Sequence, residues 1–231
     1  MIQKISLAAI WLGFLIYAFG FAPPTNGNTL DLIIDLSTGN WDGINPLVIA
    51  LFNIMGVLPA VYACLLLFDG KEQKIPAAPF VAASFGTGAF AVLPYLVLRQ
   101  PNAEWHGEKN WLLKILDSRW LGLSLSIAAI ALFVFGFKNG DWSNFVAQWQ
   151  SSQFINVMSL DFCLLCFLLP FILRDDMKRR GIESKWIFWA VSLIPLFGTL
   201  GYLCLRPSLP NNQEEDIKTI RAVKTVGTTN N

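Results

Sequence analysis

One carboxylate sits deep inside an otherwise uncharged run of this chain. Asp161 lies about ten residues into the stretch 152–173. An ionisable group there is expensive, and such residues usually face a bundle interior or a wet cavity. The residue supports two readings. As a proton- or ligand-binding group, Asp161 has partners at similar depth in other runs: Ser84 and Thr87, Thr199, and Asn53 slightly further along. As a packing residue, it is protonated or hydrogen-bonded to a neighbour. A proton relay or cation pathway ordinarily uses several such acids, and this chain offers one.

The other reactive residue types point away from catalysis. Cys163 and Cys166 form a Cys-x-x-Cys, which suggests redox work beside a soluble βαβ unit. Here it lies mid-helix in apolar surroundings, where thiols are inert, and it reads as small apolar filler. Cys64 and Cys204 fall in other runs and imply no disulfide framework. The segment "RDDMKRR" at 174–180 places Asp175 and Asp176 side by side, as a metal–diphosphate site would. Lys178, Arg179 and Arg180 occupy the following positions, so the segment reads instead as a juxtamembrane charge cluster. Its expected partners are anionic headgroups or the acidic 30–42 connection.

His106 is the only histidine and lies in a connection. Bis-histidine haem and histidine-ligated chlorophyll within a bilayer are excluded, and zinc sites and Ser-His-Asp triads lack their parts. No Gly-rich phosphate loop is present, which removes an ATP-driven pump. A net charge of +1 gives no footprint for nucleic acid. No catalytic set, metal site or cofactor is therefore expected. A carotenoid, or a chlorophyll ligated by water or an amide, remains open.

The elements that position these residues are apolar and long. Six runs, at 5–22, 46–68, 76–98, 120–137, 152–173 and 186–205, carry almost no charge. A spanning helix needs roughly 20 mostly apolar residues. Only helices and closed barrels satisfy their backbone in lipid, and these runs lack period-2 alternation. The reading is an all-α, polytopic membrane bundle of about six transmembrane helices over 1–206, followed by a polar, disordered tail at 207–231. Charged residues make up 14% of the chain, well below the roughly 25% of soluble domains. Eight of the nine tryptophans fall near run ends, as an interfacial aromatic belt requires. The N-terminal run, ending in Gly20-Phe21-Ala22, mimics a signal peptide but is longer than the usual apolar core. A retained first helix is expected.

Small residues four apart, such as Ala82 and Gly86, Ser84 and Gly88, and Gly56 and Ala60, predict a tight hairpin of the second and third helices. The third run ends "YLVLR" and the sixth "YLCLR", each with an "FGT" upstream at unequal spacing. Duplication of a hairpin and coincidence in apolar sequence both account for this. Six crossings put both termini on one side. The 99–119 and 174–185 connections then carry nine Lys and Arg on one face, against Lys4, Lys71, Lys74 and Lys138 on the other, with further basic residues in the tail.

At "NPLVIALFNIMGVLPAVYACLLL" and "KIPAAPFVAASFGTGAFAVLPYLVLR" the sequence resembles an uncharacterised multi-pass membrane family of cyanobacteria and chloroplasts. The likeness covers most of 30–206. It implies a thylakoid or plasma membrane of a phototroph and brings no assigned activity. "DFCLLCFLLPFILRDDMKRRGI" and "SLIPLFGTLGYLCLRP" resemble the last two helices of the chloroplast membrane family linked to neoxanthin synthesis, with Asp161, Gly198 and Gly201 at matching positions. Three functions are therefore expected in order. The first is a non-catalytic accessory or assembly factor for photosynthetic membrane complexes. The second is a membrane enzyme or binder for carotenoids or other isoprenoids. The third is a small-solute transporter.

Overall fold

The computed structural model describes residues 2–25, 27–105 and 108–210, and of Glu72 the backbone alone. His106 and residues 211 onward lie outside the described residues, while 207–210, the start of the tail expected to be disordered, are packed against the bundle, with Leu209 buried and its amide bonded to Asp117. Among those described, every regular element is helical. In chain order they are α1 (Ile2–Ile16, continued by a π-helical turn at Tyr17–Phe21), α2 (Thr29–Thr38), α3 (Pro46–Asp69), α4 (Ala78–Thr87), α5 (Ala89–Leu98), α6 (Trp111–Leu116), α7 (Arg119–Asn139), α8 (Trp142–Ser151), α9 (Gln153–Arg179), α10 (Lys185–Leu193) and α11 (Phe197–Leu205). A short 3-10 turn follows α3.

Four of these are long and apolar enough to cross a membrane: α1 with its π turn, α3, α7 and α9. The other two apolar runs, expected to cross as single helices, are broken. Residues 76–98 form α4 and α5, and 186–205 form α10 and α11, each piece nine or ten residues long. At 1.5 Å per residue such a piece reaches about 15 Å, half the thickness of a hydrocarbon core.

Each broken pair turns back on itself. Arg99, just after α5, pairs at 2.8 Å with Asp69, the last residue of α3. Gln73 and Gln100 exchange hydrogen bonds beside it. The entrance and exit of the first hairpin therefore lie at the same end of the bundle. The second behaves alike: Arg206, just after α11, reaches Asp176 near the end of α9 at 3.1 Å. Of the six runs expected to cross, four thus form helices long and apolar enough to do so, and the other two form hairpins of shorter helices.

α3 and α9 form the centre. Two thirds of the apolar stretch of α3 is buried (67%), against 17% for α1 and for α7. Tyr62 on α3 donates to the Leu165 carbonyl of α9 at 2.6 Å, inside a core that includes Leu58, Leu65, Leu168 and Leu169. α7 lies close against α3 and α11 because it is glycine-bearing at the contacts. A β-carbon on Gly136 would come within 2.7 Å of the Ala50 β-carbon, and one on Gly122 within 2.9 Å of the Leu203 backbone. α3 and α4 pack together, but Gly56 and Gly86, two of the small residues expected at their contact, face open space.

The charged end of the bundle is a continuous buried network. Tyr95 and Arg99 both donate to Asp69, while Tyr202 and Arg206 both donate to Asp176. Arg99 also meets Asp175, and Arg179 reaches Asp69 at 3.3 Å, which ties the two hairpins together. Arg180 pairs with Asp176 and, at 2.7 Å, with Asp117. The 174–180 segment is therefore an interior lock rather than a surface cluster, and Lys178 alone of the five singled-out residues there is exposed. It does not meet the 30–42 connection. That connection lies at the opposite end, where Asn45 bonds Asp141 and Asn144.

Asp117 joins the lock through Arg180, through Lys109 at 2.8 Å and through the Leu209 amide at 3.0 Å. Burial alone would raise its carboxyl, but the Arg180 and Lys109 cations hold it below the ordinary carboxylate value. An acid lowered on folding stabilises the fold above its unfolded value, near 4, and loses that contribution as the pH falls through the lowered value. Asp117→Ala, which removes the buried acid shared by Arg180 and Lys109, is expected to cost about 3 kcal/mol or more at pH 7. In the variant, melting temperature measured in detergent should depend less on pH below about 4 than in the parent.

Candidate functional site

The tip of the first hairpin is where backbone chemistry is hardest to satisfy. α4 ends at Thr87 and α5 begins at Ala89, with Gly88 between them at φ 53° and ψ −126°. The first amides of α5 have no helical partner, and the positive end of its dipole points at the break. Asp161 supplies the missing acceptor from α9. Its Oδ1 takes the Ala89 N–H at 2.7 Å, so the deep carboxylate caps the half-helix of another element. The amides of Ala91 and Val92 close on the Gly88 carbonyl.

Gly88 is required twice here. Its backbone angles are those that side-chain-bearing residues rarely adopt. A β-carbon on it would also lie 1.8 Å from Asp161 Oδ2. The carboxylate therefore rests directly on the bare glycine.

Beside this tip a cavity of about 920 Å³ opens between α1, α3, α4 and α9. Its walls are aromatic and thioether-rich: Phe52, Met55, Phe90, Phe154 and Met158 among them. Phe19 and Phe85, largely exposed, stand at its margin. Gly56 leaves room on the α3 wall. Asp161, 6% exposed, and Ser84 and Thr87 form the polar corner. Thr25 and Gln153 line the other end and are bonded to each other, with Gln153 also donating to the Ala18 carbonyl. That contact and Tyr17 Oη to Asn156 Oδ1 (2.9 Å) anchor the π turn of α1 to α9.

The cavity follows from a broken symmetry. Asp69, Tyr95 and Arg99 recur as Asp176, Tyr202 and Arg206 at a constant offset of 107 residues (69 to 176, 95 to 202, 99 to 206) with the same hydrogen bonds. The same offset carries Gly88 onto Pro195, the second break. Long helix, surface helix, long helix and hairpin therefore occur twice, as α1 to α5 and as α7 to α11. In the second half α7 lies flush on α3. In the first half α1 leans on α5 instead, with Phe14 stacked on Phe90 at 4.4 Å and Trp11 bonded to the Phe90 carbonyl. The space where α1 would cover α9 is the cavity.

The second hairpin tip is built differently. Position 54, the counterpart of Asp161, is isoleucine, and no acid caps α11. The turn closes on itself instead: Phe197 N–H donates to the Pro195 carbonyl at 2.7 Å, with Leu196 at φ 60°. A leucine held there costs about 1–3 kcal/mol.

No family model matches this chain, and neither does any curated protein or solved structure. The site therefore rests on its own geometry. Of the residues singled out from sequence, Asp161 and Thr87 meet in the cavity corner. Asn53 turns back to the Ile49 carbonyl of its own helix, and Thr199 is buried in α11; neither lines the cavity. Cys163 is exposed and Cys166 buried, and both are free thiols. Among the described residues no three His, Cys, Asp or Glu side chains gather to hold a metal ion. Sequence reasoning took Gly88 and Gly56 as packing residues and did not single out Ala89. The available signal was a Gly-Thr-Gly in mid-run, paired with the constant 107-residue offset.

Two neighbouring glycines separate strain from mere flexibility. Gly88→Ala should lower stability by several kcal/mol, about 1–3 from backbone strain alone plus displacement of Asp161. Gly86→Ala, in open space within a helix, should be neutral or stabilising by about 0.5–1 kcal/mol. Thermal unfolding of both variants in detergent checks the contrast.

Proposed function

We propose that this protein is a non-catalytic, membrane-embedded binding protein for a long, lipid-soluble molecule of the isoprenoid class. The observation that carries this reading is the 920 Å³ cavity, apolar on most sides and acidic at one corner. Small-molecule sites run about 300–1,000 Å³, apolar in the main with a few placed polar groups. Aromatic walls suit a branched or flat hydrocarbon, and methionines adapt to irregular shapes. The resemblance of residues 161–207 to a carotenoid-linked membrane family points to the same class. Carotenoids and chlorophyll are the cofactor-like members it would admit.

In this reading α1, α3, α7 and α9 cross the bilayer, and both hairpins enter and leave from one face. Non-helical backbone at membrane depth is tolerated only where protein or a cavity surrounds it, which is the setting of the first tip; at the second, Leu193, Ile194 and Pro195 are exposed and only Leu196 is buried. Of the fourteen Lys and Arg among the described residues, thirteen stand at the lock end or on connections there, and Lys138 alone at the other. The positive-inside tendency puts the lock end in the cytoplasm or stroma. A binder of this kind would serve as an accessory factor in the thylakoid or plasma membrane of a phototroph, beside photosynthetic complexes, the setting that the sequence resemblance implies.

The duplicated broken hairpins favour a second reading, a carrier. Secondary transporters are built from repeats whose discontinuous helices meet at the substrate site.

The cavity can be filled without disturbing its frame. Gly56→Phe projects a ring into space where no atom lies within 4 Å of a β-carbon. Native mass spectrometry of the protein purified in mild detergent should show a stoichiometric lipid-soluble adduct that the Gly56→Phe variant lacks. Identical spectra for both proteins, with no adduct, would contradict the reading.

A further inference from the structure

The side-chain oxygens at the hairpin tip are acceptors, and one donor stands beside them: the Phe90 amide, second in α5, has no hydrogen-bond partner among the described residues. Asp161 commits Oδ1 to the Ala89 amide, while among the described residues nothing donates to Oδ2. The Ser84 hydroxyl gives its hydrogen to the Val81 carbonyl at 2.7 Å, and the Thr87 hydroxyl gives its own to the Ala83 carbonyl at 2.9 Å. Both oxygens keep lone pairs only. The break also ends α4, and the last carbonyls of a helix have no helical donor. The side-chain donor of Gln153 lies eight residues away along α9, about 12 Å.

Such a corner selects a group that donates to the oxygens and accepts from the amide. A pure hydrocarbon leaves a buried carboxylate oxygen unsatisfied. A carboxylate or phosphate terminus brings a second negative charge against Asp161. An ammonium finds acceptors in Asp161, Ser84 and Thr87, but it is costly to desolvate among aromatic walls and has no lone pair for the Phe90 amide. A hydroxyl carries one hydrogen to give and lone pairs to accept with, and so matches both. We infer that the cavity selects a long apolar alcohol, its hydroxyl donating to Asp161 Oδ2 at the tip of the α4–α5 hairpin and its chain lying along the Phe and Met walls. This rests on the cavity being a binding site, as proposed above. Asp161 is then a specificity residue as well as a helix cap.

Phytol, phytane and phytanic acid share one branched skeleton and differ at the terminus alone. Displacement of tritiated phytol from the full chain in nanodiscs at pH 8 separates them. The expected order is phytol tighter than phytane by tenfold or more, with phytanate weakest. Asp161→Asn keeps an acceptor for the Ala89 amide and removes the negative charge, so phytanate should gain several-fold. Asp161→Leu should bring phytol and phytane to equal affinity. Equal affinity of the parent protein for all three ligands would overturn this inference and leave the binding reading standing. Phytol binding that is unsaturable, or that Gly56→Phe leaves unchanged, would instead overturn the reading on which it rests.

Discussion

A helix that stops halfway through an apolar medium leaves backbone amides and carbonyls where no water can reach them. Each such group costs several kcal/mol if unsatisfied. This constraint governs the molecule. The two hairpin tips meet it differently. At the first tip a carboxylate from α9 takes the leading amide of α5 and rests on a bare glycine. At the second the chain folds into a tight turn and accepts a strained leucine. The first solution leaves an acid facing open space, and the functional reading of the protein grows from that difference.

The hairpins are held shut from the other end. An acid closing a long helix receives a tyrosine hydroxyl and an arginine from the end of the following hairpin, in both halves and at the same spacing. Buried ion pairs contribute little net stability, yet removing one partner is costly. Their role here is to fix register. Arg179 and Arg99 cross between the halves, so neither hairpin can slide without stranding a charge of the other. Two copies of one unit, locked at one end and free to differ at the other, give a symmetric frame with an asymmetric pocket.

Much of this was legible in the sequence, and the reason it was only part is instructive. The helical class follows from apolar runs without alternation, and the run boundaries fall within a few residues of the observed helices. Asp161 stood out because a lone acid in an apolar run demands an explanation. The breaks did not stand out. A run of 20 apolar residues fits a bilayer whether it crosses or returns, and Gly88 or Pro195 inside it reads equally well as a kink. What distinguishes a hairpin is a contact between its two ends, 30 residues apart in sequence. "YLVLR" and "YLCLR" carried that information. It becomes readable only once Asp69 and Asp176 are placed at equal distance upstream. The 174–180 cluster misled for a related reason: charges next to a span look like headgroup contacts unless their partners, on four other segments, are known.

The return of 76–98 to the side it left is the claim on which topology, lock and cavity all depend. Its most direct test is a distance in the membrane. With the native cysteines replaced, spin labels at Lys74→Cys and Pro101→Cys flank the hairpin in the full chain. Double electron–electron resonance in liposomes should give a narrow distribution near or below about 20 Å, whereas a segment that crosses would separate the labels by about 30 Å or more, the thickness of the hydrocarbon core. The longer distance would contradict the account.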